Sequence, residues 1–180
     1  MTRYGMLIDT TACIGCFACR TACQVQNNLL PSEAFIRFEQ HESGTYPAAR
    51  LATVPLQCMQ CSDAPCVQVC PTGASHRTED GIVTVDHGRC IGCKYCMAAC
   101  PYQVRVRNVE TGAVDKCRFC TVSAEETGTK MCSCVEACLT GARMFGDLDD
   151  PDSDVSREIV ATNAQPIAGD LTKAKVFYVR

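Results

Sequence analysis

Short apolar runs alternate with cysteine-rich loops along this chain. Leu7-Ile8-Asp9 and Val83-Thr84-Val85-Asp86 each read as a small strand leading into such a loop. Phe35-Ile36-Arg37-Phe38 and Leu51-Ala52-Thr53-Val54 read as strands around a turn at Ser43-Gly44-Thr45-Tyr46-Pro47. Thr78-Glu79-Asp80-Gly81 is a turn before a strand, and Thr111-Gly112 a hairpin tip. Short helices are expected near Thr21 to Asn27 and Met97 to Cys100. Ser123 to Lys130 is a polar excursion. After Gly146 come Asp147, Asp149, Asp150, Asp152 and Asp154, the pattern of a solvated loop with helix N-caps. A helix from Val155 to Thr162 and a last strand from Lys175 to Val179 follow. No apolar run approaches the length of a membrane-spanning helix. Met1-Thr2-Arg3-Tyr4-Gly5 shows neither a signal-peptide apolar region nor a twin-arginine pair, so no export signal of its own is expected.

Cysteine changes this picture. There are 17 in 180 residues, beside only six Phe, five Tyr and no Trp. A conventional core would be thin, so inorganic groups are expected to replace much of it and the apoprotein to fold poorly. The formal net charge of −3 excludes an extended nucleic-acid surface.

The cysteines form four groups: Cys13-x2-Cys16-x2-Cys19-x3-Cys23, Cys58-x2-Cys61-x4-Cys66-x3-Cys70, Cys90-x2-Cys93-x2-Cys96-x3-Cys100, and Cys117-x2-Cys120 with Cys134-x3-Cys138 and Cys132 nearby. The first and third have the bacterial ferredoxin spacing; Pro71 and Pro101 supply its trailing proline in the second and third. Cysteines two residues apart let a tight loop wrap three corners of one iron–sulfur cube. The fourth, about a helical turn on, faces away and ligates the neighbouring cluster. "CIGCFACRTAC" and "CIGCKYCMAAC" are an internal repeat.

Disulfide pairing fits poorly, because the total is odd and the x2-x2-x3 grammar repeats. Structural zinc uses two separated pairs rather than a run of four. The three-cysteine signature of S-adenosylmethionine radical enzymes is absent. Cys134 is favoured over Cys132 as a ligand because Cys134-x3-Cys138 repeats the terminal step of the other groups. Cys132 remains the alternative.

Arg20, Arg89, Lys94, Arg105, Lys116 and Arg118 lie beside the loops, where cations raise the potential of an anionic cluster or simply serve solubility. His41, His76 and His87 read as solvent-facing loop residues. Tyr95 and Tyr102 read as packing against a cluster. No nucleophile, paired acid and base or phosphate loop is present, so no catalytic residue is assigned.

Seven stretches carry a family resemblance: "IDTTACIGCFACRTAC", "GTYP", "QCMQCSDAPCVQVCPTGAS", "DGIVTVD", "CIGCKYCMAACPY", "DKCRFC" and "CVEACLTGARMFGDLDDPDS". They resemble the four-cluster electron-transfer (beta) subunit of the molybdopterin oxidoreductases, in the polysulfide, thiosulfate, tetrathionate and dimethyl sulfoxide reductase branch. Leu139 stands where that family often has proline. The resemblance implies an α+β fold of two fused ferredoxin-like halves with pseudo-twofold symmetry. Residues 1–34 and 101–146 would form one half and 58–100 the other. Residues 35–57 would be an inserted β-hairpin, and 147–180 a C-terminal extension for partner docking.

It also implies four [4Fe-4S] clusters: Cys13, Cys16, Cys19 and Cys138 on the first; Cys58, Cys61, Cys66 and Cys100 on the second; Cys90, Cys93, Cys96 and Cys70 on the third; Cys117, Cys120, Cys134 and Cys23 on the fourth. The ends of the electron path are expected at the second cluster or at the fourth. The implied role is non-catalytic electron transfer between a molybdopterin catalytic subunit and an integral membrane quinone subunit. The implied place is the extracytoplasmic, periplasmic face of the membrane, reached by export with the partner. The alternative is a soluble polyferredoxin serving a formate dehydrogenase or hydrogenase.

Overall fold

The computed structural model describes residues 2–120 and 132–180, so the polar excursion from Ser123 to Lys130 lies outside the described residues. The largest sheet is built on β1 (Tyr4–Asp9), which pairs antiparallel with β8 (Arg143–Asp147) and parallel with β10 (Val176–Val179). β9 (Gln165–Pro166) completes the order β8-β1-β10-β9. The last residues of the chain are thus woven against its first strand.

Alternation along β1 decides what each face meets. Met6 and Ile8 point into the main core, which the cysteine loops share. Leu7 points the other way, into a small cluster with Val155 and Ala164. Val155 lies on α5 (Asp154–Ala161), whose N-cap Ser153 accepts a hydrogen bond from the Ser156 N–H. That helix lies so close to β8 that a Cβ on Gly146 would stand 2.9 Å from Val155 Cγ1. The acidic segment therefore begins inside a strand, since Asp147 ends β8. The expectation of a loop directly after Gly146 is corrected there.

The hairpin of β2 (Arg37–Ser43) and β3 (Arg50–Leu56) projects from the core: Val54 and Leu56 at its base pack inward while its tip is exposed. Phe35 and Ile36, expected in the strand, precede it as fully buried core residues. β4 (Ser75–Arg77) with β5 (Val83–Val85), and β6 (Val106–Arg107) with β7 (Val114–Asp115), are smaller hairpins whose turns hold Gly81 and Gly112 at positive φ.

The helices near the cysteines are mostly single turns. α1 (Ala18–Gln26) is the longest; α2 (Pro65–Gln68), α3 (Tyr95–Ala98) and α4 (Ser133–Glu136) have four residues each. α6 (Gly169–Thr172) lies near the C-terminus. α3 starts and ends two residues earlier than the spacing suggests. The difference places its cysteine in the first turn.

Candidate cluster-binding site

The first Cys-x2-Cys step of each of the four groups uses one backbone device. The residue before the second cysteine is left-handed: Gly15 (φ +66°), Gln60 (+48°), Gly92 (+67°) and Phe119 (+55°). This bend turns the loop around the space its sulfurs face. Glycine makes it without steric cost, and at Gly92 a Cβ would stand 2.8 Å from the Gly112 carbonyl oxygen. Gln60 and Phe119 each cost about 1–2 kcal/mol there. Packing offsets that cost. Buried Gln60 donates to the Cys117 carbonyl at 2.8 Å and accepts from the Val83 N–H at 2.8 Å. Phe119 is buried edge-on against Phe145, with centroids 5.2 Å apart.

The third cysteine of each group, Cys19, Cys66, Cys96 or Cys134, is the second residue of a helix. The fourth lies further along: Cys23 within α1, and Cys70, Cys100 and Cys138 just past the C-caps of α2, α3 and α4. Cys132 is the N-cap of α4, the position Ala64 holds at α2, with similar extended backbone. Its Sγ donates to the Phe119 carbonyl at 3.4 Å.

Three cavities collect these sulfurs. Cys58, Cys61, Cys66 and Cys100 line one, with Tyr102 and Arg105. Cys70, Cys90, Cys93 and Cys96 line the next. Cys23, Cys117, Cys120 and Cys134 line another, and Cys132 lines it too. Of the remaining set, Cys19 is buried in α1, which packs on α4 close to Cys138; Cys13 and Cys138 are half-buried and Cys16 is exposed. Among the described residues no three His, Cys, Asp or Glu side chains converge as they would on a single ion. Thiols at the corners of a shared space suit a polynuclear group instead.

Burial pushes the Cys23 thiol up to about 12 and the Cys61 thiol up to about 11, and raises Cys19, Cys96 and Cys117. Such thiols ionise when iron binds, because the metal's charge replaces the lost solvation. Cys120 behaves differently: the adjacent Cys132 thiol, the largest influence, lowers it to about 6, and the same neighbour lowers Cys134. Cys132 itself is held protonated. Backbone N–H groups also reach sulfur: Ser75 to Cys70 at 3.3 Å and Val114 to Cys90 at 3.4 Å.

Of the six cations singled out by sequence, Arg105 and Lys116 are buried. Lys116 Nζ donates to the Val83 and Cys117 carbonyls. Arg118 pairs with Asp115, Arg89 with Asp86; Arg20 is half-buried and Lys94 exposed. Sequence reasoning missed Arg143, Gln57 and Gln60. Buried Arg143 donates through Nη1 to Gln57 Oε1 (2.6 Å), Met6 Sδ (3.5 Å) and Cys134 Sγ (3.8 Å). A signal was present: Arg143 follows Cys138 at the spacing by which Arg105 follows Cys100.

His87 is a loop residue, its Nε2 3.1 Å from Asp115 Oδ2, but His41 and His76 lie on β2 and β4. The loop assignment of those two is corrected. Tyr95 is exposed, whereas Tyr102 is buried and its hydroxyl donates to the Ile167 carbonyl at 2.9 Å.

Gln60 pins the second loop to the fourth through the Cys117 carbonyl, and Cys117 lies within electrostatic reach of Cys58. In the first and third loops Cys16 and Cys93 are exposed, beside the exposed Ile14 and Ile91.

A family model described as a 4Fe-4S dicluster domain matches residues 49–148, and a second of the same description matches residues 12–74. The chain is 47% identical to the thiosulfate reductase electron transfer subunit of Salmonella typhi, over 82% of this chain and 78% of the relative. It is 43% identical to a subunit of the tetrathionate reductase of Salmonella typhimurium, over 86% of this chain and 62% of that one. It is 39% identical to a component of the polysulfide reductase of Wolinella succinogenes, over 98% and 94%.

Proposed function

We propose that this chain, which belongs to the 4Fe-4S dicluster family of reductase electron-transfer subunits, carries electrons along a line of four [4Fe-4S] clusters between two partner subunits. It is a conducting subunit, and substrate chemistry belongs to a partner. The observation that carries the reading is the ringing of shared cavities by complete sets of four cysteines drawn from two groups. Cys58, Cys61 and Cys66 take Cys100; Cys90, Cys93 and Cys96 take Cys70; Cys117, Cys120 and Cys134 take Cys23; Cys13, Cys16 and Cys19 take Cys138. The donor set fits: soft thiolates, N–H donors at sulfur and buried cations are what iron–sulfur cubes require. When bound, each cluster accepts and releases one electron. The chain's own residues hold it, shield it from water and balance its charge.

Cys134 serves as the ligand because it occupies the helical position of Cys19, Cys66 and Cys96. Cys132 takes the place of Ala64 as the helix N-cap, its thiol donating to the Phe119 carbonyl beside the ligands. The two halves are related by a pseudo-twofold axis, with β2–β3 as an inserted arm.

One end of the line docks on a molybdopterin catalytic subunit and the other on an integral membrane subunit that exchanges electrons with quinone. Among the described residues no helix is long and apolar enough to cross a membrane. The complex sits on the extracytoplasmic face, and this chain is exported folded with its catalytic partner. Affinity capture of the tagged chain from membranes, followed by molybdenum analysis, tests this. A co-purifying molybdenum subunit is expected, with membrane attachment lost when the partner's export signal is deleted. A soluble chain without a partner in both strains would favour the polyferredoxin reading.

A further inference from the structure

Two arginines, each five residues past the last cysteine of a group, are buried without a counter-ion among the described residues. Arg105 is 5% exposed and Arg143 3%. Neither forms an ion pair with a carboxylate among the described residues. Among the described residues each keeps one guanidinium nitrogen with no partner: Nη1 of Arg105 and Nη2 of Arg143. A buried charge left in that state is costly. Something must compensate it in the working protein.

Their neighbours identify the compensation. Arg105 Nη2 donates to Ser75 Oγ at 2.8 Å, and Arg105 lines the cavity of Cys58, Cys61, Cys66 and Cys100, with Cys96 in electrostatic reach. Arg143 donates to Cys134 Sγ at 3.8 Å, with Cys19 in electrostatic reach. In both cases the arginine follows the last cysteine of a group by five positions and stands between the third cysteines of two groups. Those two sulfurs belong to different clusters in the ligand assignment above, on which the inference rests. A guanidinium presents several N–H donors in a rigid fork and keeps its proton, so one side chain serves two anionic centres at once.

We infer that Arg143 is the shared cation of the first and fourth clusters and Arg105 that of the second and third, each stabilising the added negative charge when an electron occupies either member of its pair. Both are positioning residues for electrons. One electron leaves one cluster and enters its neighbour while no bond forms or breaks and no proton moves. The pairing also divides the line. Each arginine bridges the step inside its pair, whereas the second and fourth loops meet at Gln60 and the Cys117 carbonyl.

The test is a potentiometric titration of the full chain with its clusters, followed by electron paramagnetic resonance, on Arg143→Gln and Arg105→Gln. Each variant is expected to lower the potentials of its own pair and leave the other two unmoved. Because the guanidinium interacts more strongly with the reduced cluster, its loss is expected to give about a tenfold drop in the reduced-to-oxidised ratio at fixed ambient potential, about 59 mV for one electron. Unmoved potentials in both variants, or an equal shift of all four clusters, overturn the inference. Should either glutamine variant lose iron, Arg143→Lys and Arg105→Lys decide: these keep the charge without the fork, and a smaller drop confined to the same pair is expected. No shift there overturns the inference. Fewer than four clusters in the unaltered protein would instead count against the ligand assignment.

Discussion

Cys138→Ser is expected to abolish or convert the same electron paramagnetic resonance signal as Cys16→Ser, although the two cysteines lie near opposite ends of the cysteine-bearing region. The reasoning is geometric. A fourth cysteine placed a helical turn beyond its own three faces the neighbouring space. In the cavities of Cys58 and of Cys90 the fourth sulfur comes from the partner group, Cys100 in one and Cys70 in the other. α1 packs on α4 in the other half, bringing Cys138 toward the first loop. Serine at either position removes one thiolate from one cluster and leaves three, so a complete loss or a conversion to a three-iron centre is expected, not a graded weakening. Cys132→Ser in parallel should leave all four signals, since that thiol is a hydrogen-bond donor at the helix N-cap. Different signals lost from Cys138→Ser and Cys16→Ser would sink the pairing.

Removing iron should unfold the chain. Nine cysteines belong to the main buried core, where they stand beside Met6, Phe35, Ile82 and Tyr178. A small domain has only about 5–15 kcal/mol of stability in total, and this core has few large apolar side chains to spare. Stripped of iron, the thiols that line each shared space would have no metal to hold them together. Arg105 and Arg143 would then be buried cations with no anion. Chelation under strictly reducing conditions is expected to abolish the cooperative thermal transition and expose the chain to rapid proteolysis. An iron-free chain melting within about 4 °C of the loaded one, about 1 kcal/mol for this size, would mean that the protein alone supplies the core.

Much of this was legible in the sequence because cysteine spacing is a covalent ruler. The x2-x2-x3 steps mark loop, helix start and helix end, and the two smaller hairpins announce themselves by glycine turns at Gly81 and Gly112. What escaped depends on contacts between distant segments. β8 was not foreseen, because Arg143-Met144-Phe145-Gly146 shows no clear alternation and becomes a strand only by pairing with β1. Phe35-Ile36 looked like strand because apolar runs are ambiguous; tertiary packing buries them ahead of β2 instead. Arg143 carried its signal in the repeat, but an arginine five residues past a cysteine reads as surface until burial is seen. The tie between the second and fourth loops rests on Gln60, whose side chain donates to the Cys117 carbonyl and which no spacing rule singles out.

The central claim is four cubane clusters held in one chain by sixteen of its 17 cysteines. Iron and acid-labile sulfide, quantified on anaerobically purified full-length protein, test it most directly. About sixteen of each per chain is the predicted result. A value near eight, or zinc in place of iron, would contradict it.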